Sequence, residues 1–154
     1  HGVRTILDVA PVPASPLPAQ CYDVDILTPN QVEAELLTGL RVDSVDSAQA
    51  AAERLRERGA RQVVIKLGSL GAWLTDAESR GEHLPPFPIM PVDTTAAGDA
   101  FTAALGVAWT MGRPWREAVR YANAAGALAA TRHGAQPSMP TRAEVEAFLA
   151  DAIA

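Results

Sequence analysis

Cysteine is nearly missing from this sequence. Cys21 is the single one in 154 residues, so no disulfide can form within the chain. A reducing compartment suits such a chain best, and a cytoplasmic location is the expectation. Basic clusters are missing as well. Thirteen Lys and Arg against eighteen Asp and Glu leave a net charge of −5, which offers nucleic acid or anionic lipid no patch to hold. A small anion is not excluded, because backbone N–H groups with one or two basic side chains suffice for it. No run of 18 apolar residues and no signal-peptide pattern occurs, so a membrane partner is not expected. His1, His83 and His133 lack ligand spacing, which argues against a structural zinc site. Lysine occurs once, at Lys66, beside twelve arginines, a bias of coding more than of function. An initiating Met is also lacking: His1 leads at once into strand-like sequence, as expected of the second part of a larger fold or of a chain lacking an upstream portion.

What is present is ordinary for a globular protein. The residues are 48% hydrophobic and 20% charged, enough for one substantial core. Strands are predicted at Val3–Val9 and Asp23–Leu27, with Pro11, Pro13, Pro16 and Pro18 forcing an irregular connection between them. Asn30 with Glu33 three residues on reads as a capping box opening a helix whose apolar face is Val32, Leu36 and Leu37, closed by Gly39. A second helix is predicted over Ser47–Arg58, burying Ala48, Ala51, Ala52 and Leu55. Val63–Leu67 and Ala72–Thr75 read as strands around a glycine turn at Gly68–Gly71. Two further extended pieces are expected around a turn at Gly81. A helix is predicted from about Gly98 to Met111 along Phe101, Ala104, Leu105 and Ala108. Another begins with Pro114 at its first position and carries Trp115, Ala118, Val119, Ala122, Gly126 and Ala129. The last starts at Thr141 with Glu144 as box partner and buries Val145, Phe148, Leu149 and Ile153. Strands separated by helices imply an α/β sheet covered on at least one face.

The segment "PVDTTAAGDAFTAALG" is the strongest candidate for chemistry. A helix starting near Ala97 or Gly98 would point free N–H groups at the preceding loop, where small residues let a phosphate approach the backbone. Asp99 in the first turn would be favoured as an anion and could take a proton from a hydroxyl held beside that phosphate. The alternative stays open: Thr95 caps the helix and Asp99 only complements its dipole. "KLGSLG" could contact a nucleotide or be a simple hairpin turn, since it matches neither phosphate-loop nor dinucleotide fingerprint. Asn30 and Glu33 could be a capping box alone, or Glu33 could reach a water on a divalent cation.

"DTTAAGDAF" resembles the C-terminal signature of the ribokinase-like, or PfkB, family of sugar kinases. The resemblance runs through nearly the whole chain, with "DILTPNQVEAELLTG", "VVIKLGSLGAW", "VDTTAAGDAF" and "ATRHGAQPSMP" in the family's order and spacing. It implies a Rossmann-like α/β sheet with flanking helices, of which residues 1–154 would be the C-terminal, ATP-binding part. The implied reaction moves the γ-phosphoryl group of ATP to a sugar hydroxyl. The "GAQPS" tail narrows the resemblance toward members that make D-ribose 5-phosphate from D-ribose; a fructokinase-like member and a non-catalytic nucleotide-binding remnant are the alternatives.

By this resemblance Asp99 is the base, and Ala96, Ala97, Gly98 and the Asp99 backbone form the anion hole. Asn30 and Glu33 match the family's N-x-x-E motif, which organises Mg²⁺ and its waters. Lys66, Gly68, Ser69 and Gly71 match the turn along the nucleotide, and Asn123 matches an adenine-pocket position. Asp93, Thr95, Arg132, Gly134 and Ser138 correspond to a loop pair that binds an activating monovalent cation, K⁺, mainly through backbone oxygens. Three positions depart from common family usage. Ala96 stands where Gly is frequent, Lys66 where Thr is common, offering phosphate a cation in place of a hydroxyl, and Asp8 where Asn is more usual. The family's N-terminal half, with its sugar-binding region and the β lid that forms the dimer contact, has no counterpart here. Little kinase activity is therefore expected from these residues alone.

Overall fold

The computed structural model describes residues 2–76, 78 and 80–152. The chain divides into two compact units, His1–Pro85 and Pro86–Ala154.

The first unit is a mixed five-stranded sheet with two helices. Strands β1 (Ile6–Leu7), β2 (Ile26–Leu27) and β3 (Gln62–Lys66) pair in parallel, and β3 continues antiparallel into β4 (Ala72–Thr75) and β5 (Gly81–Leu84). The first two strands, of two residues each, are shorter than the apolar runs predict. Gly81 opens β5 instead of making a turn, and its Cβ-less face lets the Trp73 indole lie against it. Beyond Leu84 no second extended piece joins the sheet among the described residues.

Helix α1 (Gln31–Thr38) and helix α2 (Val45–Glu57) carry the crossover from β2 to β3, as parallel strands require. Ala34 and Leu37 of α1 and Ala48, Ala51, Ala52 and Leu55 of α2 pack with Leu27, Val63 and Ile65 in one core. Truncating Leu55 there would cost about 2–5 kcal/mol. The apolar face expected of α1 is only partly right: Val32 and Leu36 are 64% and 65% exposed, and Ala34 and Thr38 take the inward positions beside Leu37. Helix α2 begins two residues before the predicted start. Ser44 caps it by accepting from the Ser47 amide, so Ser47 is the third helical residue and not the first.

The second unit is helical. Helices α3 (Ala97–Thr110), α4 (Trp115–Ala130) and α5 (Arg142–Asp151) follow one another. Pro114 is the N-cap of α4 and not its first helical residue. The start of α3 lies close against α4: a Cβ on Gly126 would sit 3.1 Å from the Ala97 carbonyl oxygen. Ala100, Phe101, Leu105 and Ala108 of α3 are buried, as are Ala118, Val119, Ala122 and Ala129 of α4. On α5 only Val145 is fully buried, while Phe148 and Leu149 are half-buried. Phe148 lies 5.1 Å from Phe87, centroid to centroid. Ile153 lies outside the described residues. No described helix is long and apolar enough to cross a membrane.

Candidate functional site

Three helix starts are closed by their own side chains. At α1 the Asn30 side chain accepts from the Glu33 amide at 2.9 Å and the Asn30 amide donates to Glu33 Oε2 at 2.7 Å. Ser44 and Ser47 close α2 in the same way, and Thr141 and Glu144 close α5. Helix α3 has the same acid spacing, with Asp99 as its third residue, but no side chain caps it.

The cap position of α3 is Ala96, not Thr95, which removes the capping explanation weighed from the sequence. Ala96 has φ 60 and ψ 7 and is the one non-glycine residue with positive φ among those described. A left-handed alanine costs on the order of 1–2 kcal/mol. It turns the chain so that the Ala97 amide bonds back to the Thr94 carbonyl at 3.2 Å and helical bonding begins at Ala100, which donates to Ala96 at 2.9 Å. The Gly98 and Asp99 amides between them find no protein acceptor among the described residues. The Asp99 side chain is exposed, with no ion pair or hydrogen bond among the described residues. The result is two free donors and an accessible carboxylate on one turn, an arrangement suited to binding an anion and receiving a proton.

The loop before α3 is held by Asp93. Its Oδ1 accepts from the Thr95 amide at 2.9 Å and its Oδ2 from the Gly134 amide at 2.9 Å. The Thr95 hydroxyl first, then the amides of Gly134 and Thr95, hold this carboxyl at about 2, below its ordinary 3.8. Asp93 therefore ties the loop entering α3 to the loop leaving α4. That second loop is anchored again at Arg132, whose Nη2 lies 2.6 Å from Glu144 Oε1. Buried Ser138 donates to the Ala135 carbonyl at 2.7 Å. The structure thus joins Asp93, Thr95 and Gly134 just before α3, while Arg132 and Ser138 are held by other partners in the segment that follows α4. Asn123 lies on α4, one turn before Gly126. The small residue at Gly126 admits the backbone of α3.

The remaining candidates gather in the first unit, at the carboxyl ends of parallel strands, the usual position for ligands of such sheets. Asn30 follows β2 and forms an isolated parallel bridge with Lys66 at the end of β3, where the Lys66 amide donates to the Pro29 carbonyl at 2.9 Å. The segment Gly68–Leu70 is one turn of 3₁₀ helix closed by Leu67 donating to Gly71 at 2.8 Å. Gly68 and Gly71 both have positive φ, and nothing lies within 4 Å of where a Gly68 Cβ would stand. The turn is a hairpin connection, with one face open to a ligand. A cavity of about 470 Å³ opens elsewhere in this unit, lined by Glu53, Arg56, Trp73 and Gly81 among others; it contains none of the candidate residues.

Sequence reasoning gave Asp8, Glu144 and Gly126 no part in the site's construction. Lys66 Nζ lies 2.6 Å from Asp8 Oδ2, a contact between residues 58 apart that no local pattern encodes. Glu144 was visible as a capping residue, but its second oxygen is the one that fixes Arg132.

The pfkB family carbohydrate kinase profile matches residues 1–142. The chain belongs to that family. It is 37% identical over 150 residues to the ribokinase of Haemophilus influenzae, covering 97% of this chain and 48% of the relative. It superposes on the Arabidopsis thaliana ribokinase solved with ribose and ATP at a TM-score of 0.89 and 39% identity, covering 96% of this chain and 48% of that one. An Escherichia coli protein named as a ribokinase II, solved with ATP and Mg²⁺, aligns at a TM-score of 0.74 and 31% identity over 86% of this chain and 42% of its own. The fold is the ribokinase-like α/β fold, with a mixed sheet and flanking helices. The chain spans about half the length of the relatives it matches.

Proposed function

We propose that these residues form the C-terminal, nucleotide-binding and base-bearing part of an ATP-dependent sugar kinase whose acceptor is D-ribose and whose product is D-ribose 5-phosphate. The observation that carries this reading is the start of α3, where the Gly98 and Asp99 amides are free and the Asp99 carboxylate is exposed. The similarity to ribokinases, including one solved with ribose and ATP, supports the substrate assignment.

In this reading the Gly98 and Asp99 amides, with Ala96 and Ala97 shaping the turn, receive the oxygens of the transferred phosphoryl group. Fixed donors of this kind need no reorganisation as charge shifts during transfer. Asp99 accepts the proton of the attacking sugar hydroxyl. Asn30, Lys66, Gly68, Ser69, Gly71 and Asn123 hold the nucleotide. Mg²⁺ fits as an ion kept largely by water and phosphate, since Glu33 has one oxygen on the Asn30 amide and no described group of three His, Cys, Asp or Glu side chains encloses a metal. When bound it neutralises phosphate charge. The ordered loops of Asp93, Thr95, Arg132, Gly134 and Ser138 fit a monovalent cation such as K⁺, because the bonds from Asp93 fix the backbone whose carbonyls would face it.

Sugar binding and the dimer-forming lid are assigned to the portion of the relatives that these residues do not match. We place the activity in the cytoplasm, where ATP is at hand and Cys21 stays reduced. The test is ribose-dependent ADP formation by the kinase containing these residues, with the 154-residue chain alone measured beside it. The expectation is K⁺-stimulated turnover of ribose by the former and almost none by the latter. Turnover of fructose but not ribose would replace the substrate assignment, and ATP failing to bind either protein would remove the reading altogether.

A further inference from the structure

Two departures from common family usage, Asp8 and Lys66, turn out to be partners. Asp8 directly follows β1 and Lys66 ends β3, so their ion pair crosses the carboxyl end of the intervening strand β2. Their side chains are 19% and 11% exposed. Lys66 is also the backbone neighbour of Asn30 and leads into the open-faced Gly68–Gly71 turn. The one lysine of the chain is thus stationed beside Asn30 and the Gly68–Gly71 turn, which the reading above gives to the nucleotide, with a carboxylate as its counter-ion. Partly dehydrated pairs add little net stability, since desolvation offsets their attraction. A compact ammonium on a flexible stem is nonetheless well suited to exchange one anion for another.

We propose that Lys66 is a phosphate-binding cation of the nucleotide site and that Asp8 is its positioning residue, holding the ammonium while the site is open and yielding it to the polyphosphate. This rests on the nucleotide-site reading above. The pair makes affinity depend on phosphate charge in opposite directions. Removing Lys66 deletes a charge-assisted bond to phosphate. Removing the Asp8 charge frees the ammonium and takes a repelling carboxylate away.

The experiment is calorimetric binding of ATP, ADP and adenosine, each with Mg²⁺, to the chain and to its Lys66→Met and Asp8→Asn variants. Lys66→Met is expected to weaken ATP by about tenfold or more, the size of a lost charged hydrogen bond. ADP should be weakened less, and adenosine should stay within about twofold, a margin well inside one such bond. Asp8→Asn is expected to tighten ATP by roughly two- to fivefold, as befits a partly exposed charge, leaving adenosine unchanged. Adenosine binding also reports whether each variant is folded. Equal losses for ATP and adenosine in Lys66→Met, unchanged ATP binding in that variant, or ATP binding weakened or unchanged in Asp8→Asn would each overturn the inference while leaving the nucleotide site standing. If the unmodified chain bound neither ATP nor adenosine, the nucleotide-site reading would fall first and this inference with it.

Discussion

Helices α1 and α3 both place an acid at the third position of their first turn, yet they leave different groups to solvent. At α1, Asn30 and Glu33 satisfy one another, and the carboxylate is occupied in holding the helix end. At α3, Ala96 has no side chain with which to close the box, and its left-handed backbone turns the loop aside. The third-residue amide that α1 bonds to its cap remains available at α3, and Asp99 keeps its carboxylate free. The difference teaches that an acid in the first turn identifies a site only when the cap opposite it is missing. A helix start that is stable by itself is a poor place to bind a phosphoryl group.

The sharpest way to break this contrast is to neutralise the two acids separately. In the kinase containing these residues, Asp99→Asn should lower ribose-dependent ADP formation by about 10²–10⁴-fold, the usual contribution of a positioned base. ATP affinity should barely change. A rate near that of the unmodified enzyme would show that Asp99 is no base. Next in size is Gly126→Ala. Its new methyl would press on the Ala97 carbonyl and should cost about 1–3 kcal/mol in urea unfolding, as overpacking does. It should weaken phosphate binding as well, because the α3 start would shift. Asn30→Ala removes the α1 box and should cost about 1 kcal/mol, whereas Asp99→Asn should cost less in the same assay, having no cap bond to lose. Equal losses would erase the distinction between the two helix starts.

The smallest effect concerns acid. Glu144 is held at about 2, below its ordinary 4.5, chiefly by the Thr141 amide and then by Arg132. A carboxyl whose folded value lies below its unfolded one adds stability above the unfolded value and loses it as pH falls. For Glu144 the window therefore runs from 4.5 down to about 2. Glu144→Gln should flatten the fall of melting temperature across that range by lowering the neutral-pH value while changing little near pH 2. An unchanged acid profile would mean that the Glu144 carboxylate, with its Thr141 and Arg132 partners, contributes nothing to folding.

Much of the architecture was legible locally. The hairpin strand Ala72–Thr75 and the boxes at Asn30 and Thr141 lie where pattern and cap chemistry put them. What failed was decided by other parts of the chain. Val32 and Leu36 fit an apolar stripe, but the crossover geometry turns Ala34 and Leu37 to the core instead. Thr95 is a good capping residue by type, yet its amide is taken by Asp93, and the following Ala96 becomes the cap. The sequence around Asp99 therefore permitted both an ordinary helix start and an anion site, and only the backbone at Ala96 separates them. The pairings of Asp8 with Lys66, Arg132 with Glu144 and Asp93 with Gly134 join distant segments and have no periodic signature.

The central claim is that the uncapped start of α3, and not merely its acid, receives the phosphoryl group. Amide NMR of the chain during titration with Mg²⁺ and ATP tests it most directly. The Gly98 and Asp99 amide protons should move downfield and become slower to exchange as ATP saturates. ATP binding that leaves both amides unmoved would contradict the account.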